Sequence, residues 1–322
     1  MDSIPTGIWP TMITPYRPDG GVDLDAVWRL VHWYGEEGCN GIFAVCQSSE
    51  MFYLTLSERI ELAKAVVDAT AGTMAVVASS HVSDEPEAQI EELGMTAETG
   101  VDAVVMVSNR LAGPDEDDEV WIRNAERILD ALPGVRFGIY ECPYPYKRLM
   151  TDATLEWCMR SGRFVFLKDT CCDAALIKHR IQRIRELGSD GSLSSLKLYN
   201  ANTMTLLGSL RSGASGYSGV MANLHPRLYS WLFRNWRTAP ETAERLQALL
   251  TFLSDLELYG YPICAKQRLR DLGLPMSITS RSKPMQAFGT KEREMLRQGE
   301  LLEELAYGMC GIDTQKLQTT VN

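Results

Sequence analysis

The chain has 322 residues, 45% of them hydrophobic and 23% charged, which is enough apolar material for one barrel-sized domain plus an appendage and too much for a largely disordered chain. A formal net charge of −10 and a pI near 5.1 set it against non-specific binding to nucleic acid or to an anionic membrane, since either surface would repel it. The opening Met1-Asp2-Ser3-Ile4-Pro5 lacks the basic and apolar regions of a signal peptide, and no apolar run is long enough to span a bilayer, so a cytoplasmic protein is expected.

Apolar, β-rich runs recur along the chain at 7–14, 41–46, 74–79, 102–107, 135–140, 163–168, 195–200 and 215–220. Amphipathic stretches at 23–37, 56–69, 86–99, 116–132, 151–160 and 173–187 lie between them and predict helices. Two helix starts carry local signals: Thr55-Leu56-Ser57-Glu58 offers an N-cap with an acidic first turn, and Ser83-Asp84-Glu85-Pro86 puts proline near a helix start. Eight buried strands alternating with helices, and no Gly-rich dinucleotide turn, predict an α/β fold of the closed (β/α)8 TIM-barrel type. After Pro226 the pattern is wholly helical, with candidates at 242–258, 263–272 and 291–306 and a linker at 284–290. The expected division is a barrel over 1–228 and a C-terminal helical extension over 229–322. The eight cysteines include no CxxC pair, and Cys171 and Cys172 are adjacent, a pattern of reduced thiols rather than a disulfide framework.

In barrels of this kind chemistry gathers at the C-terminal ends of the strands. The sixth run ends in Lys168, followed by Asp169-Thr170, and the fifth ends in Tyr140. A lysine after five mostly apolar residues inside a barrel is costly to keep charged, and a depressed pKa is also what a nucleophilic amine needs. A phenol at the end of the neighbouring strand can move the protons of imine chemistry on a keto acid. The turn Gln47-Ser48-Ser49-Glu50 after the second run presents hydroxyls and amides able to bind a carboxylate, although taken alone it also fits an ordinary capped turn. The four histidines, His32, His81, His179 and His225, are spread over separate units without metal-ligand spacing, so no metal and no cofactor is expected. Asn200-Ala201-Asn202 and Val220-Met221-Ala222-Asn223 stand where a phosphate cradle would need glycines, which disfavours a phosphorylated substrate.

Landmarks of a known family fall in order along nearly the whole chain. Gly7-Ile8-Trp9-Pro10-Thr11-Met12-Ile13-Thr14-Pro15 is similar to its first strand, Gln47-Ser48-Ser49-Glu50 stands for its Thr-Thr-Gly-Glu, and Tyr140-Glu141-Cys142-Pro143 stands for its Tyr-Asn-x-Pro. Phe166-Leu167-Lys168-Asp169-Thr170, Gly213-Ala214-Ser215-Gly216 and Tyr261-Pro262-Ile263-Cys264-Ala265-Lys266 complete the set. The chain thus resembles a divergent member of the dihydrodipicolinate synthase and N-acetylneuraminate lyase family. The resemblance implies an imine between Lys168 and a 2-oxo acid such as pyruvate, proton transfer by Tyr140, and substrate contacts from Gln47, Ser48, Ser49, Thr170, Arg110 and Ser218. It also implies a homotetramer.

Departures bear on the second substrate. Pro145 replaces the family arginine that binds its carboxylate, Arg110-Leu111 replaces a tyrosine pair of the proton relay, and Thr203-Met204 replaces the acidic pair of the sialic acid lyases. Three readings follow: a class I lyase handling pyruvate or a hydroxylated 2-keto acid, a dehydratase of a 2-keto-3-deoxy sugar acid using the same lysine, and a catalytically silent binding or regulatory barrel.

Overall fold

The computed structural model describes residues 4–189 and 196–313. Eight parallel strands form one sheet among these residues: β1 (Gly7–Ile8), β2 (Gly41–Phe43), β3 (Ala75–Ala78), β4 (Ala103–Val107), β5 (Phe137–Tyr140), β6 (Phe164–Asp169), β7 (Lys197–Asn200) and β8 (Gly216–Tyr217). Their order is β1-β8-β7-β6-β5-β4-β3-β2. A parallel bridge between Thr11 and Phe43 joins the two ends, with the Met12 N–H donating to the Phe43 carbonyl and the Phe43 N–H to the Pro10 carbonyl, both at 3.0 Å. The sheet is therefore the predicted (β/α)8 barrel.

Helices follow each strand: α1 (Leu24–Glu36), α2 (Leu56–Thr70), α3 (Pro86–Glu98), α4 (Asp118–Ala131), α5 (Asp152–Arg160), α6 (Ala174–Leu187), α7 (Leu206–Ser212) and α8 (Pro226–Asn235). Thr55 caps α2 in a reciprocal box with Glu58, and Pro86 opens α3. Most of the predicted runs shrink in the structure, the one at 41–46 to Gly41–Phe43 and the one at 215–220 to Gly216–Tyr217 among them. The first run pairs with β8 over Gly7–Ile8 and then crosses to β2 at the Thr11–Phe43 bridge, and Pro10 between the two has no N–H to give. The predicted strand at 195–200 is seen from Lys197, and residue 195 lies outside the described residues. The seven-residue α7 had no predicted counterpart, its pattern being too short to show a helical period.

The C-terminal part holds α9 (Pro240–Leu253), a 3-10 stretch at Ser254–Leu258, α10 (Ile263–Asp271) and α11 (Thr290–Cys310). Residue 228 falls inside α8, which packs on β1, so we propose to divide barrel from extension after Asn235. Among the described residues no helix is long and apolar enough to cross a membrane.

The barrel interior is filled with aromatic rings. Trp9 lies 5.3 Å from Phe166 and 5.4 Å from Tyr199 between ring centroids, Phe166 stacks on Tyr199 at 4.7 Å, and Phe43 meets Tyr140 edge-on at 5.5 Å. Two glycines make room. A Cβ on Gly138 would stand 3.0 Å from the Phe166 carbonyl oxygen, and one on Gly216, whose φ is +155°, would lie 1.8 Å from the Gly7 carbonyl oxygen across the β1–β8 seam.

Candidate active site

The period of two along a strand decides which side chains reach the interior. On β6, Phe166 and Lys168 share the inner face, while Asp169 points outward to Arg180 of α6, in an ion pair of 2.5 Å. β5 behaves alike. Tyr140 faces in, and Glu141 turns out to the same guanidinium at 2.8 Å. Tyr140 and Lys168 are register partners, so the phenol and the amine stand side by side as their strand positions predict.

Arg180 and its two carboxylates are wholly buried and brace the loops beyond these strands. Glu141 accepts from the Met150 N–H at 2.7 Å and from the Thr170 N–H at 2.9 Å, while the Thr170 hydroxyl donates to the Glu141 carbonyl at 2.6 Å. The sequence marked Glu141 and Asp169 only as motif positions and gave no sign of Arg180.

Above the aromatic layer lies a cavity of about 480 Å³. Gln47, Ser48, Tyr140, Lys168, Thr170, Tyr261 and Glu257 are among the residues that line it. Lys168 is 4% exposed, and its Nζ sits 4.2 Å from the centroid of the Tyr140 ring. Burial pulls the Lys168 pKa below that of an ordinary lysine, against opposing pulls from Cys46, Cys142 and Glu257. Burial pushes the Tyr140 phenol well above its usual range, assisted by Cys142 and Cys46. Its hydroxyl donates to Gln47 Oε1 at 3.3 Å.

The remaining predicted contacts divide. Ser48 and Thr170 face the cavity, Ser48 donating to Thr11 Oγ1 at 3.1 Å. Ser49 is turned into the protein, where its hydroxyl bonds the Met12 and Ala44 carbonyls at 2.5 and 2.7 Å. Ser218 is fully buried just below the lining residues Gly219 and Val220. Arg110 is not brought to the cavity wall; its guanidinium pairs with Asp84 and lies 5.5 Å from the Phe52 ring centroid.

The C-terminal segment contributes more than the sequence reading assigned it. Glu50, held with φ +61°, accepts from Lys266 Nζ at 3.0 Å, the Ser280 hydroxyl at 2.8 Å and the Arg281 and Ser282 N–H groups at 2.7 and 2.6 Å. Burial raises this carboxyl, but Lys266 and the hydroxyl and amide donors outweigh it and leave its pKa below the usual value. The clamp fixes residues 279–282 on the loop after β2 and brings Ser282 and Lys283 to the rim. Glu257, in the 3-10 stretch, faces the cavity with its carboxyl raised by desolvation and lowered by Lys168. Among the described residues no group of three or more His, Cys, Asp or Glu side chains is placed to hold a metal ion.

A buried amine and phenol at the C-terminal ends of adjacent strands stand where (β/α)8 barrel enzymes build their active sites. Residues 4–301 match the model of the dihydrodipicolinate synthetase family, and the chain belongs to that family. It is 27% identical over 297 residues to the 4-hydroxy-tetrahydrodipicolinate synthase of Saccharophagus degradans, covering 90% of this chain and 97% of the relative. The namesake enzyme of Ruegeria pomeroyi is 30% identical over 222 residues, 69% of this chain and 72% of that one. Among solved structures, YagE, a prophage protein of the dihydrodipicolinic acid synthase family from E. coli K12 in complex with pyruvate, shares the fold with a TM-score of 0.81 at 20% identity, over 93% of this chain and 98% of that one.

Proposed function

We propose that this chain is a metal-independent, imine-forming lyase acting on pyruvate or a hydroxylated 2-keto acid, with a second-substrate site unlike that of the lysine-biosynthetic enzymes. The observation that carries this reading is Lys168 itself: a buried amine with no carboxylate in ion-pair contact among the described residues, its pKa lowered, against the face of Tyr140 in a cavity. The neutral amine attacks C2 of the keto acid, the carbinolamine loses water, and the resulting iminium withdraws electrons from C3. Loss of a proton from C3 gives an enamine, which adds to an aldehyde; the reverse sequence cleaves one off. Tyr140, still protonated at neutral pH, hands a proton to the departing hydroxyl and takes it back. Gln47 and Ser48 would hold the carboxylate on the wall beside it.

The altered second-substrate site has its own support. Of the two cations beyond Pro145, Arg148 is engaged away from the cavity, donating to the carbonyls of Gly113, Glu116 and Asp117, while Lys147 lines the cavity with its Nζ donating to the Thr170 carbonyl at 2.8 Å. No arginine is among the residues lining the cavity, and Glu257 puts an acid there. A substrate bearing a second carboxylate would meet the ammonium groups of Lys147 and Lys283 but no guanidinium fork. We further read the protein as cytoplasmic, a reading supported by its eight free cysteines, and as a homotetramer, supported by the family resemblance alone.

The test is borohydride reduction in the presence of pyruvate, then peptide mass mapping. A pyruvyl adduct on Lys168 that disappears in Lys168→Ala is the expected result. No adduct with pyruvate or a panel of 2-oxo acids would leave the barrel as a binding or regulatory protein.

A further inference from the structure

Tyr261 is the residue of the cavity wall that the mechanism above leaves unused. It opens the segment Tyr261-Pro262 before α10, at the position where the family resemblance sets an asparagine, and its side chain reaches the same wall as Ser48. The direction of its hydroxyl proton can be deduced from its neighbours. Asn223 Nδ2 lies 2.8 Å from the Thr11 carbonyl, 2.9 Å from the Val220 carbonyl and 3.1 Å from Tyr261 Oη. Tyr34 donates to Asn223 Oδ1 at 2.5 Å. Two carbonyl acceptors on one side and a donor on the other permit a single orientation of the amide, with its nitrogen towards Tyr261. An amide nitrogen has no lone pair to offer, so Tyr261 Oη can only accept there. Its own proton must point elsewhere.

The neighbouring hydroxyl on the cavity wall is Ser48, which gives its own proton to Thr11 Oγ1, and among the described residues no protein acceptor takes the proton of the phenol. A carboxylate is a much stronger acceptor than a hydroxyl. The carboxylate of a 2-oxo acid is also one bond from the carbon that Lys168 attacks, so its donors must come from the cavity that holds the amine, which Gln47, Ser48 and Tyr261 all line. Burial keeps the Tyr261 phenol protonated well above the usual range, with Cys46, Tyr34 and Glu257 adding to the effect. It therefore stays a donor across the working pH range.

We propose that Tyr261 is a substrate-binding residue that donates its phenolic hydrogen bond to the carboxylate of the 2-oxo acid, aimed by the Tyr34–Asn223 pair. The assignment rests on the imine reading of Lys168. It also gives the C-terminal segment a direct part in recognising the keto acid.

The experiment is borohydride trapping at graded concentrations of pyruvate and of hydroxyacetone, an uncharged ketone of similar size, with wild type and Tyr261→Phe. Losing one hydrogen bond to a charged group should raise the half-saturating pyruvate concentration roughly ten- to a hundredfold. The value for hydroxyacetone should hold within about twofold, since that ketone has no carboxylate to lose a partner. An unchanged pyruvate response overturns the assignment. So does an equal loss for both ketones, or a pyruvate loss accompanied by a large fall in thermal midpoint, because either marks a merely structural role. If wild type is labelled by neither ketone, the imine reading fails and this inference falls with it; labelling of wild type with an indifferent variant removes Tyr261 alone.

Discussion

Arg180→Met tests the idea that the site is held by a buried charge network behind the strands rather than by the strands alone. The arginine side chain is 1% exposed and both its carboxylate partners are fully buried, so methionine would leave two desolvated acids facing an apolar chain. Glu141 would keep the Met150 and Thr170 amides and Asp169 the Cys171 amide, so each acid is only partly abandoned. Breaking a buried pair by removing one partner costs about 3–5 kcal/mol, and that is the destabilisation expected at pH 8 in urea unfolding. The pH dependence follows from Glu141, whose carboxyl already lies above its usual value through burial, with Arg180 as the main force lowering it. Without Arg180 it rises further. An acid whose folded pKa exceeds its unfolded value, about 4.3, favours the folded state at low pH and loses that stability as pH rises through the folded pKa. The deficit should therefore shrink as the pH is lowered from 8 towards 5. A deficit below about 1 kcal/mol, or one of equal size at both pH values, would refute the reasoning.

Glu257→Gln removes the carboxylate that raises the Lys168 pKa, so the acid limb of the kcat/KM profile should move to lower pH; a shift to higher pH, or none, would show that this carboxylate does not act on the amine. Arg110→Ala should leave pyruvate trapping on Lys168 unchanged in half-saturating concentration, because its guanidinium is committed to Asp84 outside the cavity lining. In Gly138→Ala the new methyl would stand 3.0 Å from the Phe166 carbonyl oxygen and 3.1 Å from its Cβ, and overpacking of this kind should cost about 1–3 kcal/mol by urea unfolding while lowering the trapping rate at Lys168, two residues beyond Phe166 on β6.

The barrel was legible because its signal is periodic and local. Each β–α unit carries its own apolar run and amphipathic helix, and the alternation of faces then places Tyr140 and Lys168 inward together without knowledge of the fold's details. Orientation within turns was not legible in the same way. Gln47, Ser48 and Ser49 form one 3-10 turn, and a rotation of roughly 120° per residue aims the first two at the cavity and the third at the β1–β2 crossover. Nothing in Gln-Ser-Ser as a string says which hydroxyl faces which way. Arg110 failed to reach the cavity wall for a related reason: its partner Asp84 comes from the preceding unit, and a contact 26 residues away leaves no trace in local pattern.

The same limit explains why the extension looked like an appendage in the sequence. Its links to the site are all long-range: Glu50 to Lys266 and to the amides of Arg281 and Ser282, and Tyr261 to Asn223 across 38 residues. Glu50 is the hinge of this arrangement. It follows directly on the turn that carries Gln47 and Ser48, so a single buried carboxylate ties that turn to the segment that supplies Ser282 and Lys283 at the rim. Changing Glu50 to Gln removes the charge opposite Lys266 while keeping the shape. An uncompensated ammonium at 0% exposure should then cost about 3–5 kcal/mol, or else force Lys266 to lose its proton. The two outcomes part company with pH. If Lys266 stays charged the loss is flat between pH 7 and 9, whereas a depressed Lys266 pKa makes the variant recover as pH rises, since a lysine whose folded pKa lies below its unfolded value favours the folded state at high pH. In either case the rim loses its anchor, and binding of the second substrate should weaken more than imine formation on Lys168. Equal loss of both would mean that the extension supports the barrel as a whole rather than the site.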